Sequence, residues 1–96
     1  MIVVKVSTTG ITVDGHAEYA ETGNDIVCAA VSVLSQGLIH SLDALTDDSI
    51  SYTLADGHID IHYKNLSEIG KLLVDSFFIA VSDIQLTYGE RYVQIR

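Results

Sequence analysis

Apolar and polar residues alternate in two consecutive segments near the start of the chain, which predicts a β-hairpin. The apolar positions of this first hairpin are Ile2, Val4, Val6, Ile11 and Val13. Because side chains alternate between the two faces of a strand, these positions share one face. With Thr9 and Gly10 as the loop, we expect Val6 to lie opposite Val13.

A second hairpin is predicted around the dipeptide Asp56-Gly57, which strongly favours a two-residue turn. Pairing on either side of this turn sets Leu54 opposite Ile59 and Tyr52 opposite Ile61 on the apolar face. Polar residues occupy the other face of the hairpin, so we expect one face in the core and the other in solvent.

Each hairpin is followed by a segment with helical periodicity. Asn24 is the expected N-cap of the first helix, with Asp25 in its first turn, and Ser67 is the expected cap of the second. The first apolar stripe continues through Gly37 and comprises Val27, Val31, Leu34, Leu38, Leu42 and Leu45. The second comprises Ile69, Leu73, Phe77, Ala80 or Val81, and Ile84.

A last strand, Tyr92 to Arg96, completes the order ββαββαβ within a single domain, residues 1–96. This order predicts an α+β fold with a largely antiparallel sheet and both helices packed on one face. The pattern leaves the direction and neighbour of the last strand open. The second helix has a wider apolar arc than one small sheet can cover, which predicts a homodimer.

Composition narrows the functional classes. The chain has 96 residues, 13 Asp and Glu against 5 Lys and Arg, and a formal charge of −8, so direct nucleic-acid binding is not expected. We expect neither a signal peptide nor a membrane segment, and a cytoplasmic location. The single cysteine cannot form an internal disulfide, which is consistent with a reducing compartment.

That cysteine, Cys28, lies near the start of the first predicted helix, where unpaired N–H groups and the helix dipole stabilise a thiolate. It also lies on one helix face with Asp25 and Ser32, at spacings of three and four residues. Free cysteines are often small buried hydrophobes, so packing in the core is the alternative interpretation.

A histidine partner for Cys28 is available in Gly15-His16, at the end of the second strand. Imidazole can take the thiol proton and later protonate a leaving amine, as a cysteine protease requires. Strand alternation alone would place His16 on the face shared with Asp14, away from the helices. A bend or bulge near Gly15 would bring the imidazole to the thiol.

The stretch Gly15-His16-Ala17-Glu18-Tyr19-Ala20, followed by residues 23–32 with the sequence GNDIVCAAVS, resembles the signature of the ribosomal-processing cysteine proteases called Prp. The resemblance is dense over residues 15–35. It implies a homodimeric α+β cysteine protease without a cofactor, whose His-Cys dyad falls on His16 and Cys28 here. The family removes the N-terminal extension of large-subunit ribosomal protein number twenty-seven, and phage relatives process capsid or scaffold proteins.

The resemblance extends to Asp25 and Ser32, which become candidate supporting residues together with Gly15. Asp25 could accept a hydrogen bond from His16 or simply cap the helix. Ser32 could orient the dyad or bond to its own helix. Tyr19, in the connection to the helix, is a candidate substrate contact, and N–H groups at the helix start are expected to stabilise the oxyanion.

Two alternatives belong to other functional classes. His58, Asp60 and His62 alternate along one strand and could bind zinc or iron, but we favour a solvated sheet face, which itself requires alternating polar residues. The chain could also be a noncatalytic dimeric binding module with Cys28 buried. We favour the protease with no metal.

Overall fold

The computed structural model describes all 96 residues and contains five strands and two helices in the predicted order ββαββαβ. The elements are β1 (Ile2–Val6), β2 (Gly10–Gly15), α1 (Ile26–Leu45), β3 (Ile50–Ala55), β4 (His58–Tyr63), α2 (Glu68–Tyr88) and β5 (Val93–Ile95). The predicted α+β fold with a largely antiparallel sheet is confirmed.

The five strands form one sheet in the order β3-β4-β2-β1-β5. All neighbours are antiparallel except β5, which pairs parallel with β1. This pairing resolves the placement of the last strand that the sequence pattern left open. Because β2 pairs with β4, the central strand β2 joins the two hairpins into one sheet.

The predicted register of the first hairpin is wrong by two residues, since Val6 pairs with Ile11 and Val4 with Val13. The loop comprises residues 7–9, and it closes with a hydrogen bond of 2.9 Å from the Ser7 N–H to the Gly10 carbonyl. A two-residue shift leaves every side chain on its original face, so the prediction of the apolar face is unaffected.

The second hairpin has the predicted register, with Leu54 opposite Ile59 and Tyr52 opposite Ile61. Ile59 and Ile61 are buried, but Tyr52 and Leu54 are 52% and 46% exposed. The difference follows from position, because β4 lies inside the sheet whereas β3 is an edge strand.

Helix α1 begins one residue later than predicted, because Asp25 and not Asn24 is its N-cap. An Asp25 carboxylate oxygen accepts hydrogen bonds from the N–H groups of Val27 and Cys28, which places Cys28 at the third helical position. The helix continues through Gly37 as predicted. Its buried residues are Val27, Val31, Ser35, Leu38, Ile39 and Leu42.

The buried side of α1 differs from the expected stripe at four residues. Leu34 is only half-buried, and Ile39, which the stripe did not include, is buried. Leu45, at the last helical position, is exposed. Ser35 is fully buried, which is possible because its hydroxyl donates to the Val31 carbonyl at 2.7 Å.

Helix α2 starts after the predicted cap, Ser67, whose hydroxyl accepts from the Gly70 N–H at 3.0 Å. Phe77 and Val81 are buried from its predicted stripe, whereas Ile69 is exposed. The wider apolar arc predicted for α2 comes from Leu72, Val74, Phe78 and Ile79, of which Val74 is buried in the core and the other three are exposed. Other apolar residues of α2 are exposed as well. The complete set of exposed large apolar residues on α2 is Ile69, Leu72, Phe78, Ile79 and Leu86.

The core lies between one face of the sheet and the two helices. It contains 17 buried apolar residues, which come from both helices, from strands β1, β2, β4 and β5, and, in the case of Ala17, from the β2–α1 connection. By length and hydropathy alone α1 could cross a membrane, a test that core helices of soluble proteins also pass. In this fold the buried stripe of α1 forms part of that core.

The contrast between Leu42 and Leu45 gives a stability test of this packing. Leu42→Ala should lower the free energy of unfolding by about 2–5 kcal/mol, because Leu42 is fully buried. Leu45→Ala should change it by less than about 1 kcal/mol, because Leu45 is 61% exposed. Urea denaturation followed by circular dichroism measures both variants, and equal losses would contradict the packing of α1.

Candidate active site

A groove of about 790 Å³ opens between the start of α1, the connection from β2 to α1, and the β3–β4 turn. Five of the six predicted site residues line it: Gly15, His16, Asp25, Cys28 and Ser32. Residues on separate elements therefore converge on one concave surface, as small-molecule and peptide sites usually require.

Strand β2 ends at Gly15, where the chain changes direction. The φ of Gly15 is +97°, a backbone conformation that residues other than glycine rarely adopt. The space around Gly15 is also closed, because a Cβ there would collide with the Met1 carbonyl oxygen. Strand alternation ends at this residue, and His16 enters the groove that Cys28 lines. The structure therefore contains the bend near Gly15 that the sequence analysis required if the imidazole is to approach the thiol.

Cys28 is half-buried, and its sulfur accepts a hydrogen bond from the Ala17 N–H. The N···Sγ distance is 3.1 Å, and Ala17 itself is buried. An N–H donor directed at the sulfur favours the negatively charged thiolate, which is the nucleophilic form of cysteine. This contact also fixes the residue adjacent to His16 against the candidate nucleophile.

The Asp25 carboxylate joins the helix start to the preceding connection. One oxygen accepts from the N–H groups of Val27 and Cys28 at 3.0 and 2.9 Å. The other accepts from those of Tyr19 and Ala20 at 2.9 and 3.3 Å. Desolvation raises the pKa of Asp25, but these four hydrogen bonds outweigh it and hold the pKa below its usual value.

Of the two roles left open for Asp25, the structure therefore shows the cap. Its oxygens bond to backbone N–H groups and not to His16. The N–H groups of Val27 and Cys28 donate to Asp25, so these two groups at the helix start are not free to bind an oxyanion as the sequence analysis expected. The main-chain donor directed at the sulfur comes from Ala17.

The imidazole of His16 lies over the β3–β4 turn. A Cβ placed on Gly57 would be 2.8 Å from Nε2 of His16. The same nitrogen is 3.9 Å from a carboxylate oxygen of Asp56. The sequence marked Asp56-Gly57 only as a turn, because its position beside His16 depends on the long-range pairing of β2 with β4.

Ser32 lines the groove one helical turn after Cys28, and its hydroxyl bonds to neither Asp25 nor His16. Gln36 continues the same helix face and also lines the groove, although the sequence interpretation did not include it. The four-residue spacing from Cys28 through Ser32 to Gln36 is the signal that would have identified it.

Tyr19 has different neighbours from those expected of a substrate contact. Its ring packs edge-to-face against Tyr88 and Tyr92, with centroid distances of 5.4 and 5.1 Å. Its sequence neighbours Glu18 and Ala20 line the groove, and Tyr19 does not. This aromatic cluster ties the β2–α1 connection to the end of α2.

The histidines considered as metal ligands, His58 and His62, pair with carboxylates, and His58 also lines the groove. The imidazole of His58 bonds to Asp14, and that of His62 bonds to Asp60 at 3.0 Å. The hydrogen bond to Asp14 raises the pKa of His58. No group of three or more His, Cys, Asp or Glu side chains is arranged to hold a metal ion.

The chain resembles known proteins over nearly its whole length. The family model described as cysteine protease Prp matches residues 1–94. A ribosomal processing cysteine protease Prp of Staphylococcus aureus is 29% identical over 85 residues, which covers 85% of this chain and 80% of the relative.

Solved structures show the same similarity. The essential ribosomal processing protease Prp of S. aureus, crystallised with a covalently linked product peptide, has a TM-score of 0.93 and 25% identity, and the match covers 100% of this chain and 98% of that one. SMU.848 of Streptococcus mutans has a TM-score of 0.77 and 27% identity, covering 99% and 88%.

The Asp25 contacts predict a pH dependence of stability. Because the pKa of Asp25 is lowered on folding, its contribution is complete above the unfolded pKa of about 3.8 and is lost as the pH falls through the folded value. Asn at position 25 keeps one acceptor oxygen for the cap but cannot accept at both sites. Urea denaturation measures the free energy of unfolding at pH 5.5 and at pH 3. The decrease between the two pH values should be smaller for Asp25→Asn than for the unmodified protein.

Asp25→Ala removes the cap itself and should cost about 0.5–2 kcal/mol at pH 5.5. Asp47→Asn is the matched control, because Asp47 is exposed in the loop before β3. An acid loss for Asp25→Asn equal to that of the unmodified protein would show that the Asp25 carboxylate is not held by these N–H groups.

Proposed function

Because the chain belongs to the cysteine protease Prp family, it is a cysteine protease, and we propose that Cys28 and His16 form its catalytic dyad in ribosomal protein processing. The observation that carries this proposal is the hydrogen bond from the Ala17 N–H to Cys28 Sγ. It places the segment that contains His16 against the only thiol of the chain. Family membership excludes the alternative of a noncatalytic binding module.

In the proposed reaction, His16 takes the proton of the Cys28 thiol, and the sulfur attacks the scissile carbonyl carbon. The tetrahedral intermediate collapses when the C–N bond breaks and His16 protonates the leaving amine. Water then attacks the thioester, again with His16 as base, and releases the new carboxylate. The Ala17 N–H stabilises the negative charge that develops at and around the sulfur.

The proposed substrate is the N-terminal extension of large-subunit ribosomal protein number twenty-seven, which is cut after a short apolar-aromatic stretch. The relative in S. aureus is named for ribosomal processing. The groove is lined by the carboxylates of Glu18, Asp25 and Asp56 and by no lysine or arginine. Together with a net charge of −8, this lining favours encounter with a basic ribosomal protein.

The exposed apolar residues of α2 support the further proposal of a homodimer. Ile69, Leu72, Ile79 and Leu86 follow each other at intervals of three, seven and seven residues, so they lie along one side of the helix. They are 55%, 67%, 62% and 86% exposed. A second copy of α2 related by a two-fold axis would cover this stripe.

The dyad predicts the behaviour of two variants. Cys28→Ala and His16→Ala should each reduce kcat/KM for the extended ribosomal precursor by at least about 10³-fold, because nucleophile and base act as a unit. Mass spectrometry of the products gives the cleavage rate and identifies the scissile bond.

His40→Ala is the matched control, since His40 is exposed on α1 and does not line the groove. Cleavage at the original rate by folded Cys28→Ala or His16→Ala would refute the dyad. Cleavage of a phage capsid precursor, with the ribosomal precursor left intact, would refute the proposed ribosomal substrate and indicate the activity of the phage-type relatives instead.

The dimer proposal predicts a monomer when charge is placed on the α2 stripe. Sedimentation at micromolar concentration should give a dimer for the unmodified protein and a monomer for Leu72→Lys/Ile79→Lys, because burying two unpaired ammonium groups is costly. Leu45→Lys, exposed on α1, should remain a dimer. A monomeric unmodified protein, or a dimeric double variant, would rule out this interface.

A further inference from the structure

The β3–β4 turn contacts the main chain of Gly15 and the side chain of His16. The Gly15 N–H, next to His16, donates to the Gly57 carbonyl at 2.8 Å. The imidazole lies over Gly57, and Nε2 is 3.9 Å from Asp56 Oδ1. We propose that Asp56 and Gly57 are positioning residues for His16, an inference that rests on the proposed dyad.

Gly57 provides the surface on which the imidazole lies. A Cβ at this residue would be 2.8 Å from Nε2 and 3.4 Å from Cδ2 of His16, so any larger residue displaces the ring. The turn also gives Gly57 a φ of +70°, which glycine adopts without strain. The positive φ by itself favours glycine at this position. The contact with His16 is a second reason, because the imidazole occupies the space that a side chain would need.

Asp56 provides a negative charge beside the ring nitrogen that faces the turn. Since Nε2 faces Asp56, Nδ1 is the nitrogen left to exchange a proton with the Cys28 thiol. The attraction is strongest once His16 has accepted that proton and become cationic. Asp56 therefore stabilises the thiolate–imidazolium pair and selects one orientation of the ring.

The other carboxylates of the groove are less suited to this role. Both Asp25 oxygens accept from backbone N–H groups, and Glu18 forms no ion pair with His16. The Asp56 side chain is almost fully exposed, so its effect on His16 should be modest and sensitive to salt. Salt sensitivity separates a charge effect from a purely structural role of the turn.

The test is the rate at which iodoacetamide alkylates Cys28 at neutral pH, because this measures the thiolate without any substrate. At low ionic strength, Asp56→Asn should react about 1.5- to 5-fold more slowly than the unmodified protein. In about 1 M NaCl, where charges are screened beyond about 3 Å, the two rates should converge. Asp56→Glu should restore the rate, and Asp47→Asn, remote from the groove, should match the unmodified protein.

Gly57→Ala should react about tenfold more slowly, because the new Cβ displaces the imidazole. Gly89→Ala is its matched control, since Gly89 has a φ of +112° but nothing within 4 Å of the position of a Cβ. This control subtracts the backbone strain that is common to both substitutions. Circular dichroism confirms that each variant is folded before its rate is used.

His16→Ala separates failure of this inference from failure of the proposed function. Suppose that alkylation slows in His16→Ala, as the dyad predicts. If it does not slow in Asp56→Asn, Asp56 does not position His16, and if it does not slow in folded Gly57→Ala, Gly57 does not position His16. If Asp56→Asn is slow and remains equally slow relative to the unmodified protein in high salt, the charge role of Asp56 is refuted. An unchanged rate in His16→Ala refutes the dyad itself, and the inference with it.

Discussion

The candidate site depends on the four hydrogen bonds of the Asp25 carboxylate. Two come from the first turn of α1 and two from the connection that leaves β2. A carboxylate can accept at both oxygens, whereas a serine or threonine cap would satisfy only the helix. Asp25 thus holds the segment around Ala17 against the turn of helix that carries Cys28, and the contact between the Ala17 N–H and the sulfur follows from it.

The second determinant of the site is the pairing of β2 with β4. Asp14 pairs with His58, so the chain leaves β2 directly beside the β3–β4 turn. Gly15 then directs His16 into the groove over Gly57. Helix α1 carries Cys28, the residue after β2 is His16, and the second hairpin contributes Asp56 and Gly57, so the candidate site requires pairing across the sheet.

The predictions from sequence succeeded where local chemistry decides the structure. The Asp56-Gly57 turn, the Ser67 cap and the helical stripe through Gly37 all depend on residues close together in the chain. Two local predictions were nevertheless wrong, the N-cap of α1 and the loop of the first hairpin. In both cases neighbouring residues in the chain were suited to the same position. Asp25 replaced Asn24 as cap since its second oxygen also binds the connection, and the first hairpin loop begins at Ser7 instead of Thr9.

The periodicity of apolar residues does not predict contacts between elements that are far apart in the chain. Tyr19 lies in the connection between β2 and α1, and its partners Tyr88 and Tyr92 lie about 70 residues later in the chain. The proximity of Asp56 to His16 requires the β2–β4 register, which hydrophobic patterning does not specify. By contrast, the face shared by Asp25, Cys28 and Ser32 needed only helical spacing, and all three residues line the groove.

The arrangement of hydrogen-bond donors distinguishes two sources of stabilisation for a thiolate in this fold. A helix start offers free N–H groups and a positive dipole end, but here Asp25 accepts two of those N–H groups and adds a negative charge. Much of the helix contribution is therefore neutralised by the cap. The remaining hydrogen-bond donor to the sulfur is the Ala17 N–H, from the segment that Asp25 also holds. Asp25 thus weakens the helix as a source of positive potential while securing the segment that replaces it.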